Sequence, residues 1–145
     1  MDLRGFHGRP RAHQVSAGLL DTSVWIAGEV GRLLDTAALP DEAYVCVVTL
    51  AELQAGVLAA PDTRTRVARL ATVERLAGLE PLAVDGAVAR QWASLRVQLH
   101  EAGRSMGIND LWIAAVALAN GLPVVTQDSG FDVLAELGAL EVIRV

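Results

Sequence analysis

The sequence predicts an α/β fold with a mainly parallel sheet that is covered by helices on both faces. Short apolar segments alternate with amphipathic segments of helical length along most of the chain. These short segments are apolar almost throughout, as expected for strands that are buried on both faces. The 145 residues suit one domain, and no repeat or linker divides the chain.

The first half of the chain opens with a short apolar segment, residues 17–20, which predicts a strand that ends at Asp21. Residues 22–37 carry apolar side chains at helical spacing and predict a helix. The β-branched segment 44–48 predicts a second strand. A helix is expected to follow it over residues 50–59.

Three further helices are predicted in the middle of the chain. Asp62 is a typical N-cap residue and predicts a helix over residues 63–77. The other two helices are expected over residues 85–102 and 109–120. A glycine follows each of the three segments, and glycine is the residue that most often closes a helix.

Four short segments complete the predicted fold. Residues 79–82 predict a weak strand, and residues 123–126 predict a stronger one. A short helix is expected over residues 131–137, and residues 141–145 predict the last strand. Residues 1–16 have no period and predict a flexible basic N-terminal arm, so that the folded domain spans residues 17–145.

Composition limits the function classes. The formal net charge is −5, which argues against a protein that coats nucleic acid by charge alone. All 12 basic residues are arginines, so phosphoacceptor and phosphatase sites that need a lysine are excluded. The lone cysteine, Cys46, lies in an apolar run, which indicates a buried thiol and a cytoplasmic protein. No apolar stretch is long enough to predict a membrane span.

Four acidic residues are predicted to meet at one edge of the sheet. Asp21 follows the first strand, Glu52 lies one helical turn beyond the second, and Asp128 lies two residues beyond the strand at 123–126. Asp110 begins the helix that leads into that strand. Ligand sites of open parallel sheets lie at the carboxyl ends of the strands, where such side chains can gather.

Clustered carboxylates need a cation, because each raises the pKa of its neighbours. The predicted donors are all oxygens, with no histidine or thiol near them in the sequence, which favours Mg²⁺ or Mn²⁺ over zinc. Mg²⁺ held by carboxylates activates water and stabilises the leaving oxygen of a phosphodiester. The predicted chemistry is therefore hydrolysis of a nucleic-acid backbone.

Helix capping is the alternative explanation for each of these acids. Asp21 and Asp128 both precede residues that favour a helix or turn start. Residues 49–52 have the sequence of a capping box that ends in Glu52. Asp110 lies in a predicted first helical turn, where an acid is favoured by the helix dipole. From the residues alone, both explanations stay open.

Four segments that carry the acids resemble the motifs of PIN-domain ribonucleases, in particular the VapC toxins of bacterial toxin–antitoxin pairs. In chain order they are LLDTSVW (19–25), TLAELQAG (49–56), NDLWIAA (109–115) and TQDSGF (126–131). One short motif is weak evidence. Four motifs in the same order and at similar spacing, over residues 19–145, are specific.

The resemblance implies a single PIN-like domain, a three-layer α/β/α fold with a four- or five-stranded sheet. It also implies an Mg²⁺-dependent endoribonuclease that acts on RNA, the toxin of a type II pair that a VapB-type antitoxin inhibits, and a homodimer. Carried over by position, Asp21, Glu52, Asp110 and Asp128 become the catalytic and metal-binding acids. Ser23 and Thr126 are expected to hydrogen-bond to them.

One position departs from the family pattern. Many relatives have an acid directly before the aromatic residue of the last motif, where this chain has Gly130. Asp132 lies just past that aromatic residue and is an alternative source of a fifth acidic contact. The departure concerns this fifth contact and leaves the four acids in place.

Two further questions stay open from the sequence. Trp25 and Trp112 lie close to proposed site acids, where they either stack on an unpaired RNA base or pack in the core. The arginines of the 63–77 segment either bind phosphates or form a solvated helix face. The rival to the nuclease is a catalytically silent PIN-like protein-interaction module, and metal titration distinguishes the two.

Overall fold

The computed structural model describes residues 15–145, and most of the predicted N-terminal arm, residues 1–14, lies outside this range. A four-stranded, fully parallel sheet forms the centre of the fold, with the strand order β2-β1-β3-β4. Its strands are β1 (Ala17–Leu20), β2 (Glu42–Tyr44), β3 (Val124–Thr126) and β4 (Val142–Arg144). The predicted α/β class and parallel sheet are confirmed.

Six helices connect the strands or pack against them. They are α1 (Thr22–Trp25), α2 (Val47–Leu58), α3 (Thr63–Arg75), α4 (Gly86–Glu101), α5 (Ile108–Ala119) and α6 (Asp132–Glu136). Two short 3₁₀ turns lie at Thr36–Ala38 and Ser129–Phe131. No helix within residues 15–145 is long and apolar enough to span a bilayer.

The two faces of the sheet bury separate hydrophobic clusters, because successive side chains of a strand point to opposite faces. Leu19 and Val124 belong to the larger cluster, which α4, α5 and Phe131 complete. Leu20 and Val125 belong to a second cluster, which includes residues of α1 and the chain that follows it. Burial on both faces explains why the strands are apolar throughout.

Several helix boundaries follow the predicted capping residues. The Asp62 carboxylate accepts a hydrogen bond from the Thr65 N–H at 2.7 Å and caps α3. Asp85 caps α4 in the same way, through the Val88 N–H at 3.0 Å. Beyond the end of α5, Gly121 has a φ of +66°, which glycine adopts without strain.

The predicted helix over residues 22–37 is wrong beyond its first turn, since α1 ends at Trp25. Gly31 has a φ of +69°, which breaks helical geometry. Leu33 is 93% exposed, so the apolar residues of this segment do not form one buried stripe. Asp35 then caps the 3₁₀ turn by accepting a hydrogen bond from the Ala37 N–H at 3.2 Å.

The second predicted strand is displaced toward the N-terminus. It was expected over residues 44–48, but β2 ends at Tyr44 and the valines at 47 and 48 begin α2. Cys46, which is fully buried as expected, pairs with Leu82 in an isolated parallel bridge. This bridge is all that forms of the strand predicted over residues 79–82. Tertiary contacts outweigh the β-propensity of the two valines.

Candidate active site

The structure brings the four predicted acids to one edge of the sheet. Asp21 links β1 to α1, Asp128 lies two residues beyond β3, Asp110 is in the first turn of α5, and Glu52 is in the second turn of α2. The carboxylates of Asp21, Glu52 and Asp128 all raise the pKa of Asp110, so they lie close enough to repel its negative charge. The four carboxylates therefore lie in one electrostatic field.

This field is strongly negative. Burial, followed by repulsion from the other three acids, raises the pKa of Asp110 to about 6. The pKa of Asp21 is also raised, chiefly because this residue is only 4% exposed. Hydrogen bonds from neighbouring hydroxyls oppose that rise. The site therefore favours a proton or a metal cation as a counter-charge.

Two hydroxyl groups hold the Asp21 carboxylate. The Ser23 hydroxyl donates to Oδ1 at 2.6 Å, and the Thr126 hydroxyl donates to Oδ2 at 2.8 Å. Each hydroxyl oxygen also accepts a main-chain hydrogen bond at 3.0 Å. The Gln127 N–H donates to Ser23, and the Asp128 N–H donates to Thr126. These contacts fix the carboxylate orientation and join the ends of β1 and β3.

Glu52 has a hydroxyl partner that the sequence analysis missed. The Thr22 hydroxyl donates to Oε1 of Glu52 at 2.9 Å, across 30 residues of sequence. The available signal was position, because Thr22 lies between Asp21 and Ser23 in the first motif. Residues 21–23 thus supply one acid, Asp21, and one hydroxyl donor each to Asp21 and Glu52.

Helix capping does not account for Asp21, Glu52 or Asp128. Asp21 precedes α1 and Asp128 precedes a 3₁₀ turn, yet neither side chain accepts a capping hydrogen bond. The N-cap of α2 is Cys46, so residues 49–52 lie inside the helix and form no capping box. In contrast, the side chains of Asp62 and Asp85 do cap their helices.

Asp128 has a basic neighbour, although the sequence indicated no basic partner for the acids. Nη1 of Arg32 lies 3.5 Å from Oδ1 of Asp128. Both side chains are about half exposed, at 53% and 56%, so solvent weakens their attraction. Arg32 lies in the segment that was wrongly predicted as a helix, so the sequence pattern did not predict that its side chain would reach Asp128.

The donor set suits a hydrated oxygen-seeking cation. Within residues 15–145, no three acidic, histidine or cysteine side chains lie close enough together to hold a metal ion by direct contact alone. Mg²⁺ does not require such a set of direct ligands, because it retains several waters and commonly takes one or two carboxylates. Oxygen-only donors with uncompensated charge therefore fit Mg²⁺ or Mn²⁺ better than zinc.

The chain matches a known family. The sequence profile described as PIN domain matches residues 18–137. The chain belongs to the PIN-domain family. PIN-domain ribonucleases are in general metal-dependent enzymes.

Named relatives agree with this assignment. The PIN domain is 56% identical to ribonuclease VapC5 of Mycobacterium tuberculosis over 90% of this chain and 96% of the relative. Ribonuclease VapC4 of the same organism is 39% identical over 90% and 98%. A crystal structure of VapBC-5, a toxin–antitoxin system of M. tuberculosis, matches with a TM-score of 0.83 and 54% identity, over 90% of this chain and 99% of that one.

Gly130 has a structural role in this PIN domain. A Cβ built on Gly130 would lie 2.8 Å from Oδ2 of Asp110, closer than real Cβ atoms approach other atoms. The carboxylate of Asp132, the alternative fifth acid, instead binds Nη2 of Arg144 with both oxygens at 3.0 Å. Gly130 therefore leaves room for the Asp110 carboxylate where many relatives have an acid.

We expect Gly130→Ala to lower metal affinity and RNA cleavage by up to about 100-fold, because a displacement of about 1 Å in a catalytic group can cost that much. Gly107→Ala is the matched control, since its Cβ would lie 3.7 Å from the same oxygen, at an ordinary contact distance. Wild-type metal affinity and cleavage by Gly130→Ala would contradict this role.

The tryptophans near the site pack against the protein. The Trp112 ring stacks on Trp92 with centroids 5.0 Å apart, and both rings pack against the larger core cluster. Trp25 contacts the second cluster. Beside Trp112, an open groove runs along α2 to Glu52. Its lining is mainly apolar: Val47, Val48, Ala51, Glu52, Ala55, Asn109 and Trp112.

Proposed function

We propose that this protein is an Mg²⁺-dependent endoribonuclease and the toxin of a type II toxin–antitoxin pair. The observation that carries the proposal is the group of four neighbouring carboxylates in a PIN domain related to proteins named ribonuclease VapC. Uncompensated acids destabilise a fold unless a cation binds them. Their cost is most readily explained by a catalytic metal site.

Asp21, Glu52, Asp110 and Asp128 would hold the metal, one or two of them directly and the others through its waters, with Mn²⁺ as an alternative to Mg²⁺. When bound, the metal neutralises carboxylate and phosphate charge and makes water more acidic. Ser23 and Thr126 fix the orientation of Asp21, and Thr22 fixes that of Glu52. Asp110, whose pKa is raised to about 6, must lose its proton to act as a ligand, so metal binding weakens as the pH falls through this value.

The proposed inhibitor is a VapB-type antitoxin. A solved structure that resembles this chain at 54% identity is described as a member of the VapBC family of toxin–antitoxin systems. On this chain, the apolar groove beside Glu52 offers a surface for an apolar helix. A basic side chain of the antitoxin would then neutralise the acids in place of metal. A homodimer and a cytoplasmic location are further parts of the proposal.

The test of the metal site is a thermal melt in Mg²⁺ at constant ionic strength. At pH 7.5 we expect the melting temperature to rise by about 3 °C or more. Ligand at ten times its dissociation constant contributes about 1.4 kcal/mol, and 1 kcal/mol shifts a domain of this size by a few degrees. At pH 5.5 the rise should shrink, because Asp110, with its pKa of about 6, is mostly protonated.

The metal-free protein should show the opposite dependence on pH. The folded pKa of Asp110 lies above its unfolded value of 3.8, so the folded state binds the proton more tightly. This term makes metal-free stability fall as the pH rises from about 4 to 6. Equal melting temperatures with and without Mg²⁺ at pH 7.5 would contradict the metal site and favour the catalytically silent interaction module.

A further inference from the structure

An acidic protein that cleaves RNA needs basic side chains to bind the phosphates of the substrate backbone. From the sequence, the arginines of α3 were candidate phosphate ligands. In the structure, most of them hydrogen-bond to the protein itself. Arg66, Arg69 and Arg75 donate to the main-chain oxygens of Ala60, Gly56 and Trp25, respectively. Side chains engaged in this way anchor α3 to its neighbours. They are poor candidates for a phosphate site.

Arg32 is placed differently. Among the arginines of residues 15–145, it is the one with an ion pair to a proposed site acid. Its pair with Asp128 is long, at 3.5 Å, and half exposed, so the attraction is weak. A guanidinium has five N–H donors, and this contact uses one of them. Arg32 therefore keeps most of its hydrogen-bonding capacity beside the acids.

The side chain of Arg32 lies in a small cleft. It is lined by Arg32, Leu33, Gln127, Asp128 and Val145. The Gln127 side-chain amide donates to the main-chain oxygens of Leu33 at 2.9 Å and Val145 at 3.3 Å. These bonds tie the segment that carries Arg32 to the chain between Thr126 and Asp128. The guanidinium is thus held at the edge of the acid cluster.

We propose that Arg32 binds a backbone phosphate of the RNA, next to the phosphodiester that is cleaved. This inference rests on the proposed function. Guanidinium groups match phosphate oxygens with two parallel hydrogen bonds. In the absence of substrate, the guanidinium pairs with the carboxylate of Asp128. An Asp128 carboxylate that shares its charge with a divalent cation attracts Arg32 less, which leaves Arg32 available for RNA.

Replacement of Arg32 should affect Mg²⁺ affinity and RNA affinity differently. Arg32 competes with a divalent cation for Asp128, so Arg32→Ala should leave Mg²⁺ affinity unchanged or raise it. RNA affinity should fall. If Arg32 served only to position Asp128, its removal would lower Mg²⁺ affinity instead. A purely structural surface pair would affect neither quantity.

The matched control is Arg104→Ala. Arg104 pairs with Glu136 at 3.0 Å, with side chains 48% and 59% exposed, so this change removes the same charge from a similar surface pair. Arg32→Lys keeps the charge and loses the paired donors. Each change is made in the Asp110→Asn background, which we expect not to cleave, so that binding of intact RNA can be measured.

The experiment measures the affinity for a labelled single-stranded RNA by fluorescence anisotropy in MgCl₂, between about 50 and 200 mM KCl. For Arg32→Ala we expect about tenfold weaker binding at low salt and a salt slope lower by about 0.7, the value for one phosphate contact on a single strand. Arg104→Ala should keep the parental slope, and Arg32→Lys should fall between.

Two results would overturn the proposal: a salt slope for Arg32→Ala equal to that of Arg104→Ala, or an Mg²⁺ affinity lowered by Arg32→Ala in thermal melts of the otherwise wild-type chain. Failure of the proposed function is a separate result. In that case the wild-type protein does not cleave RNA in Mg²⁺, whatever the slopes.

Discussion

Asp21→Asn and Asp110→Asn should each lower RNA cleavage by about 100-fold or more while the protein stays folded. A lost metal ligand should cost more than the 10- to 100-fold typical of groups that only support a ligand. Because Asp110→Asn removes charge from a crowded acidic site, its melting temperature in EDTA should be unchanged or higher. Glu52→Gln should behave similarly, and Asp128→Asn should be milder, because Asp128 is half exposed.

Asp85→Asn is the matched control for these variants. It makes the same change of one carboxylate to an amide, at an aspartate that caps α4 through the Val88 N–H. Asparagine caps a helix about as well as aspartate, so both stability and cleavage should be retained. If Asp21→Asn and Asp110→Asn cleaved RNA as fast as Asp85→Asn, the acids would have no catalytic role.

Thr126→Val should damage both stability and cleavage. The change keeps the side-chain shape but removes the hydroxyl donor to Asp21 and the acceptor of the Asp128 N–H. Buried polar groups left without a partner cost about 1–3 kcal/mol. Since a group that orients a metal ligand is worth about 10- to 100-fold in activity or metal affinity, cleavage and Mg²⁺ affinity should fall by that factor.

Thr72→Val separates the two effects of the Thr126 variant. Thr72 is also a buried threonine whose hydroxyl donates to a carboxylate, that of Glu29, away from the acid cluster. Its replacement should lower the melting temperature without a specific loss of Mg²⁺ affinity. If both variants lost cleavage only in proportion to stability, Thr126 would be a structural residue.

Much of the site was predictable because its residues are tied to the ends of secondary-structure elements. Asp21 and Asp128 follow buried apolar strands, and the carboxyl ends of parallel strands share one edge. Asp62 was recognisable as an N-cap from its neighbours alone. Local patterns of this kind need no knowledge of distant contacts.

Other features depend on contacts that are distant in the sequence. Thr22 holds Glu52 across 30 residues, and Arg32 reaches Asp128 across 96. The helix expected over residues 22–37 failed because its apolar spacing was helical but its glycines and exposed leucine did not support one buried face. The role of Gly130 was hidden as well, since only the packing of Asp110 against it shows why a side chain is absent there.

If a metal held by these acids is needed to cleave RNA, one cleavage assay on purified, antitoxin-free protein will show it. Structured RNA is incubated with the wild type and with Asp110→Asn, in EDTA and after MgCl₂ is restored. We expect cleavage only by the wild type and only with Mg²⁺ present. Cleavage by the wild type at equal rates in EDTA, or by Asp110→Asn at the wild-type rate in Mg²⁺, would contradict this requirement.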